Sequence, residues 1–349
     1  MKRVYPLLSV IVFLLTACNV REEQHIQGYA LGTYYSITYV STKEDGDLQR
    51  QVDSVLREIN DTYSIFSEKS LVSRVNRNEA VRFTADFIGL TKEALKVSAA
   101  TAGAFDITAG PLIKQWGFAK DAGGEVDSAT LDSIREFVGY QKLALTSDGI
   151  QKSDNRIQLD YNAIAKGYAV DKVSWLLLGK GYSDFVVDIG GEIITHGKKD
   201  GAKQPWHIGI QVPTQTKDGV IDADYVFAIP QDARDGLAMA TSGNYRNYIE
   251  KDGERHSHII NPATGHSEQS DLLSVTVVIS GNDNTQIRNA RCARADAYAT
   301  AFMVMGRKRG MEFLNHGKGL PTVAAHFIYY ADGRYKYEQT ENFPKAESR

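Results

Sequence analysis

Only two cysteines, Cys18 and Cys292, occur in the 349 residues, so no disulfide framework holds this chain together. Charge of one sign is also missing. Forty basic residues stand against 43 acidic ones, a net charge of −3. No strong basic field is available to hold a nucleic-acid backbone, so nucleic acid is not expected as a partner. Beyond the N-terminus no apolar run is long enough to cross a bilayer, and no internal repeat or low-complexity tract is visible. The Walker A loop, the Gly-x-Gly-x-x-Gly fingerprint, the His-Glu-x-x-His zinc helix and the Gly-x-Ser-x-Gly nucleophile elbow are all absent. At 42% hydrophobic and 24% charged residues the composition is that of a globular protein, which excludes a disordered or collagen-like chain. At roughly 100–200 residues per domain, the length allows two or three domains or one large one.

The chain begins as a targeting signal. Lys2 and Arg3 precede an apolar run from Val4 to Leu15, shorter than the about 20 residues of a spanning helix. Leu15-Thr16-Ala17-Cys18 then resembles the bacterial lipoprotein signal, in which the cysteine is lipidated and becomes the new N-terminus. A plain secretory signal or an uncleaved anchor is the alternative. The expected organisation is a signal peptide over 1–17, a lipidated tether over 18–27 and a domain over 28–340. Lipidation of Cys18 would place that domain on the extracytoplasmic side, anchored without a spanning helix. Cys292 reads as a small buried thiol.

Tyr34–Val40 alternates as a strand. Leu48, Val52, Val55, Leu56 and Ile59 recur at helical spacing, and Phe87–Ala100 does the same. A third helix is expected from near Ala163 to before Gly179. Strands are expected at Phe185–Ile189, stopped by Gly190-Gly191, and at Trp206–Val212, Tyr225–Ile229, Leu273–Ser280 and His326–Tyr330. Asp252-Gly253 between two β-rich runs signals a hairpin. Arg288–Met305 is an Ala-rich helix. The stretches 121–128, 197–205 and 214–224 read as loops. Without strict βαβ alternation the pattern favours α+β over a doubly wound sheet.

Four segments place polar residues in small, apolar or Gly-rich surroundings. Gly103-Ala104-Phe105-Asp106-Ile107-Thr108-Ala109-Gly110 suits a planar ligand with polar edges, or a turn with Asp106 as a helix cap. Leu159-Asp160-Tyr161-Asn162-Ala163-Ile164-Ala165-Lys166 runs into a helix whose start can meet a ligand, with Lys166 within reach of phosphate. An ordinary capped helix with Lys166 in water is the plainer reading. Asp296 and Thr300, at i and i+4, share one helix face and offer two hard oxygens suited to Mg²⁺; Asp296 as an N-cap is the alternative. Thr241-Ser242-Gly243 and His258-Ile259-Ile260-Asn261-Pro262 are brought together by the hairpin, leaving His258 at a strand end to titrate or merely to pack. His256 and His258 face the same way, but no third ligand for zinc is apparent.

Together these segments resemble the FAD:protein FMN transferase family, ApbE. The resemblance runs from Leu31-Gly32-Thr33 through Ser67–Asn76, Gly103–Phe118, Leu159–Asp171, Asp188–Gly191 and Thr241–Gly265 to Ala295–Gly306. It implies an α+β, T-fold-related architecture of mixed sheets with packed helices. It also implies Mg²⁺, FAD as substrate, and transfer of FMN to a Thr or Ser hydroxyl of an acceptor protein with release of AMP. The acceptor would be a subunit of a membrane redox pump. Carried over by position, the metal ligands are the Ala163 carbonyl, Asp296 and Thr300. The flavin contacts are Leu31, Phe66, Ala104, Phe105, Asp106, Asp160, Lys166 and Ile259, and His258 is the base. Leu31 stands where the family often has Met, Phe66 where Tyr or Trp is usual, and Tyr161-Asn162 replaces small residues beside the metal pocket. A pyrophosphatase releasing free FMN, and a flavin-binding lipoprotein without catalysis, are the competing readings.

Overall fold

In the computed structural model the described residues open on two strands, β1 (Glu22–Ala30) and β2 (Thr33–Ser41). The structure describes residues 21–118, 126–147, 149–199, 204–211, 223–228, 236–244, 248–251, 254–268, 270–281, 290–316 and 322–345, so the signal segment and Cys18 lie outside it. Leu31-Gly32 joins the strands with φ of 53° and 74°, the positive pair that a two-residue hairpin turn requires. β1 corrects the expectation of a tether through Gln27. From Glu22 onward its backbone pairs with β2, in register from Glu22↔Ser41 to Ala30↔Thr33. Its polar composition is that of an edge strand with a wet face.

Next come helices α1 (Leu48–Tyr63), α2 (Leu71–Asn76) and α3 (Ala85–Ala100). α1 buries Leu48, Val52, Leu56, Ile59 and Tyr63, the stripe its spacing predicts. α3 starts where the Thr84 hydroxyl accepts the Phe87 amide at 3.1 Å, a side-chain cap for an otherwise orphaned donor. Short helices α4 (Gly110–Gln115) and α5 (Ser128–Arg135) follow, then the hairpin β3 (Leu143–Thr146) and β4 (Gly149–Lys152). Helix α6 (Ala165–Gly179) leads to β5 (Phe185–Ile189) and β6 (Glu192–His196). Then come β7 (His207–Gln211), β8 (Ala223–Ala228), β9 (Leu237–Gly243), β10 (Tyr248–Lys251), β11 (Glu254–Ser257) and β12 (Leu272–Ser280). Helix α7 (Arg291–His316) and strands β13 (Val323–Ala331) and β14 (Arg334–Gln339) close the chain. The β10–β11 register, Lys251↔Glu254, leaves two residues for the expected turn. α7 leaves helical geometry at Gly306 (φ 74°, ψ 164°), where its Ala-rich pattern stops.

The main sheet has eight strands in the order β1-β2-β5-β6-β9-β12-β13-β14, every pairing antiparallel. It therefore draws on both ends of the chain. Alternation splits its side chains between two cores. Ala238 and Ala240 of β9 face the helices with Val187, Val277 and Phe327, while Leu237 and Met239 face Trp206, Ile208 and Ile210 beneath the β7–β8 ribbon. Small alanines on the first face let α7 approach β9 and β12 closely. α6 packs beside α7 on the same face, against β5 and β6.

The N-terminus of α7 is capped from α6. Asp171 Oδ1 accepts the Cys292 amide at 3.1 Å and Oδ2 the Ala293 amide at 2.9 Å, which neutralises two helix-end donors. Asp296 is therefore a turn inside the helix and not its N-cap. Cys292 is fully buried, its thiol near the carbonyls of Ile193 and Met239, as a small core residue.

Candidate active site

Where the end of the β1–β2 hairpin, the Gly190-Gly191 turn and the first turn of α6 meet, they enclose a cavity of about 1550 Å³. That exceeds the roughly 300–1,000 Å³ of most small-molecule pockets and leaves room for a dinucleotide. Ala104, Phe105, Asp106, Asp160, Ala163, Lys166, His258, Ile259, Asp296 and Thr300 all line it. Of the residues expected at the site, Leu31 and Phe66 do not. Leu31 occupies the positive-φ turn of the first hairpin and packs part-buried against the helix-side core. Phe66 sits in the turn between α1 and α2, where its amide donates to Ser64 Oγ and its ring is 54% exposed. Tyr161 faces the core and not the pocket edge, with its hydroxyl 2.6 Å from Thr91 Oγ1; its neighbour Asn162 lines the cavity.

The start of α6 meets the start of α7 with almost no gap. A Cβ on Gly167 would lie 2.3 Å from the Cys292 carbonyl oxygen, so only glycine allows this contact. The Gly167 amide donates to Asp296 Oδ2 at 3.1 Å. In a regular helix that amide would point at the Ala163 carbonyl, four residues back. Turning it to the carboxylate leaves the Ala163 oxygen for another partner. Ile164 precedes α6 with φ −150° and ψ −22°, outside helical geometry, so the helix proper starts only at Ala165. One turn on from Asp296, Thr300 shares a 3.2 Å hydrogen bond with Ser242 Oγ of β9. A carbonyl, a carboxylate and a hydroxyl form a hard-oxygen donor set, the chemistry Mg²⁺ prefers. The residues present thus fit that cation.

Lys166 is part-exposed but not free. Its Nζ lies 2.5 Å from Glu192 Oε1, the first residue of β6, which is 1% exposed. Burial alone disfavours the Lys166 ammonium, but the Glu192 and Asp296 charges outweigh it and raise its pKa. Burial pushes the Glu192 carboxyl up to about 7, opposed by Lys166. Burial likewise raises Asp296, opposed by Lys166 and the Gly167 amide. Glu192 was missed from sequence, although Gly190-Gly191-Glu192 at a strand end carries the signal. Asp188 helps shape that turn, with its Oδ1 accepting the Gly191 amide at 2.9 Å.

The two other lining carboxylates differ. Asp106 is occupied as a brace. Its Oδ1 takes the Thr108 amide (2.8 Å) and hydroxyl (2.7 Å), and its Oδ2 the Tyr140 amide (2.7 Å). It therefore secures a turn rather than capping a helix. Asp160 Oδ1 accepts the Asn162 amide at 2.8 Å, but its Oδ2 is buried without a partner among the described residues. Such an orphan costs stability unless a ligand satisfies it. Burial raises the pKa of both groups.

His258 follows β11 and lines the cavity beside Phe118, with ring centroids 6.2 Å apart. Its segment is pinned to α4 and α5 by Trp116, whose indole N–H donates to the Gly265 carbonyl at 2.8 Å, and by Ile260 among Leu112, Leu131 and Val138. His256 lies against Trp116 at 4.8 Å, so the two histidines have different neighbours.

Lysine and hard oxygen donors at the foot of a dinucleotide-sized cavity, with an imidazole on its wall, define an enzyme site for a phosphate-bearing substrate. The particular family follows from comparison with known proteins. The chain belongs to the ApbE family, whose sequence profile matches residues 31–325. A FAD:protein FMN transferase of Vibrio cholerae is 36% identical over 310 residues, covering 86% of this chain and 87% of that protein. The solved flavin transferase ApbE from Vibrio cholerae superposes with a TM-score of 0.77 at 31% identity, covering 93% of this chain and 98% of the other. The apo flavinyl transferase ApbE of Pseudomonas stutzeri gives 0.76 at 29% identity, covering 93% and 96%.

Proposed function

We propose that this chain is an FAD:protein FMN transferase that uses Mg²⁺ and moves FMN from FAD onto a Thr or Ser hydroxyl of an acceptor protein, releasing AMP. The observation that carries this reading is the convergence of Ala163, Lys166, Asp296, Thr300 and His258 on one cavity. Family membership supplies the reaction class.

The Ala163 carbonyl, the Asp296 carboxylate and the Thr300 hydroxyl are the oxygens that would hold Mg²⁺. Bound there, the cation would neutralise pyrophosphate charge and so ease nucleophilic approach. Lys166 supplies a second, fixed positive charge on the same wall. The orphaned Asp160 Oδ2 is a ready acceptor for a donor on the flavin nucleotide. Tyr34, Phe105 and Phe118 provide apolar surface for a planar ring. His258 accepts the proton of the acceptor hydroxyl as its oxygen bonds to the FMN phosphorus, while the phosphorus–oxygen bond to AMP breaks.

The N-terminal lipoprotein signal extends the proposal to location. Cys18 carries the lipid, the domain works on the extracytoplasmic side of a membrane, and the acceptor is a membrane redox-pump subunit. Among the described residues no helix is long and apolar enough to cross a membrane. The test is direct: incubate the protein with FAD, Mg²⁺ and a hydroxyl-bearing acceptor peptide, then weigh the peptide. A mass gain of one phosphoester-linked FMN is expected. An unmodified peptide beside free FMN would instead assign a pyrophosphatase.

A further inference from the structure

Lys166, Glu192 and Asp296 come from three different elements, the first turn of α6, the start of β6 and the second turn of α7, and line one cavity. Lys166 gives its charge to Glu192 at 2.5 Å, while Asp296 Oδ2 takes a backbone amide. Glu192 is 1% exposed and its Oε2 has no partner among the described residues. A half-satisfied buried carboxylate is a poor stabiliser, and an apolar side chain would cost the fold less. Its presence calls for a different explanation.

The charges suggest one. Two carboxylates and one ammonium leave one negative charge over. Without Glu192, the only carboxylate of the trio left to Lys166 would be Asp296. We infer that Glu192 is a positioning residue: it holds the Lys166 ammonium off Asp296 and so keeps that carboxylate open to a divalent cation. The inference rests on the cation site proposed above. In this reading Glu192 acts through Lys166 and not as a ligand of the cation.

Cation binding without flavin tests it, with Mn²⁺ as the probe and the free-ion signal read by electron paramagnetic resonance. Five proteins are compared: wild type, Asp296→Ala, Glu192→Gln, Lys166→Met and the Glu192→Gln/Lys166→Met pair, each with a thermal melt to confirm folding. Asp296→Ala should lose binding. Glu192→Gln, nearly the same shape, should weaken it about tenfold or more, since a unit charge is removed at short range in a buried site. Lys166→Met should bind at least as tightly as wild type. The pair restores the net charge and removes the competing ammonium, so its affinity should return to within about twofold of wild type. Unchanged affinity in Glu192→Gln, or a double variant as weak as Glu192→Gln alone, overturns the inference. Normal binding in Asp296→Ala, or none in the wild type, overturns the cation site itself and the inference with it.

Discussion

Gly167→Ala adds one methyl group and should disable the site more than it weakens the fold. The new Cβ would lie 2.3 Å from the Cys292 oxygen, 2.6 Å from its carbonyl carbon and 2.8 Å from Ala293 Cα. All three are backbone atoms at the capped start of α7, so no side chain can turn aside. Restoring an ordinary contact requires α6 and α7 to part by roughly 1 Å. Overpacking of this kind costs about 1–3 kcal/mol, and the better helix propensity of alanine returns up to about 1. The expected net loss is therefore about 0–3 kcal/mol. The site suffers more. Parting the helices draws the Gly167 amide off Asp296 Oδ2 and shifts Ala163 and Lys166 relative to Asp296 and Thr300. A misplacement of 1 Å costs about 10²-fold in rate. Urea unfolding and single-turnover FMN transfer at saturating FAD measure the two effects separately. Wild-type stability together with a wild-type transfer rate would show that the helices are not in this contact.

His258→Asn should still bind FAD but transfer FMN at least about a hundredfold more slowly, the lower end of general-base contributions. A normal rate with a lowered melting temperature would leave His258 only a packing role. Asp296→Ala should abolish activity at ordinary Mg²⁺ with the fold intact, and Thr300→Ala should do less because a neutral oxygen is lost; metal titrations of the rate check both. Asp171→Asn should cost about 1–3 kcal/mol, because one of two capping amides loses its acceptor. Burial raises the Asp171 pKa from 3.8 to about 7 in the folded protein, so the unfolded chain ionises first and this carboxyl's contribution to stability falls as pH rises through that window. The cost of Asp171→Asn should therefore shrink between pH 4.5 and 7.5, and urea titrations at both pH values would show a growing cost if the sign were wrong. Cys18→Ala should release the protein from membranes or leave an uncleaved precursor, read by fractionation and mass.

Elements with strong periodicity were legible in the sequence. The α1 stripe, the Gly190-Gly191 stop after β5 and the Asp252-Gly253 hairpin all follow from local chemistry. β9 was not legible as a strand, because Leu237-Ala-Met-Ala-Thr-Ser-Gly has little β propensity and becomes one by burial on both faces. β1 was hidden by its polar edge composition. At the site, Asp296 and Thr300 were visible as an i, i+4 pair, but setting aside the cap reading of Asp296 needed the true start of α7, where Asp171 does the capping. Glu192 could not be paired with Lys166 from sequence, since only the packing of α6 on β6 joins them. Phe66 and Leu31 were placed by motif position alone, and a turn turns each away from the cavity.

Delivery of FMN from this cavity to a protein hydroxyl, and not to water, is what sets a transferase apart from a pyrophosphatase. Its most direct test is the product balance in one reaction containing the protein, FAD, Mg²⁺ and an acceptor peptide. AMP, free FMN and peptide-bound FMN are quantified together over time. Transfer predicts AMP and peptide-bound FMN in equal amounts, with little free FMN and little turnover when the peptide is left out. AMP matched by free FMN, at a rate indifferent to the peptide, would contradict it.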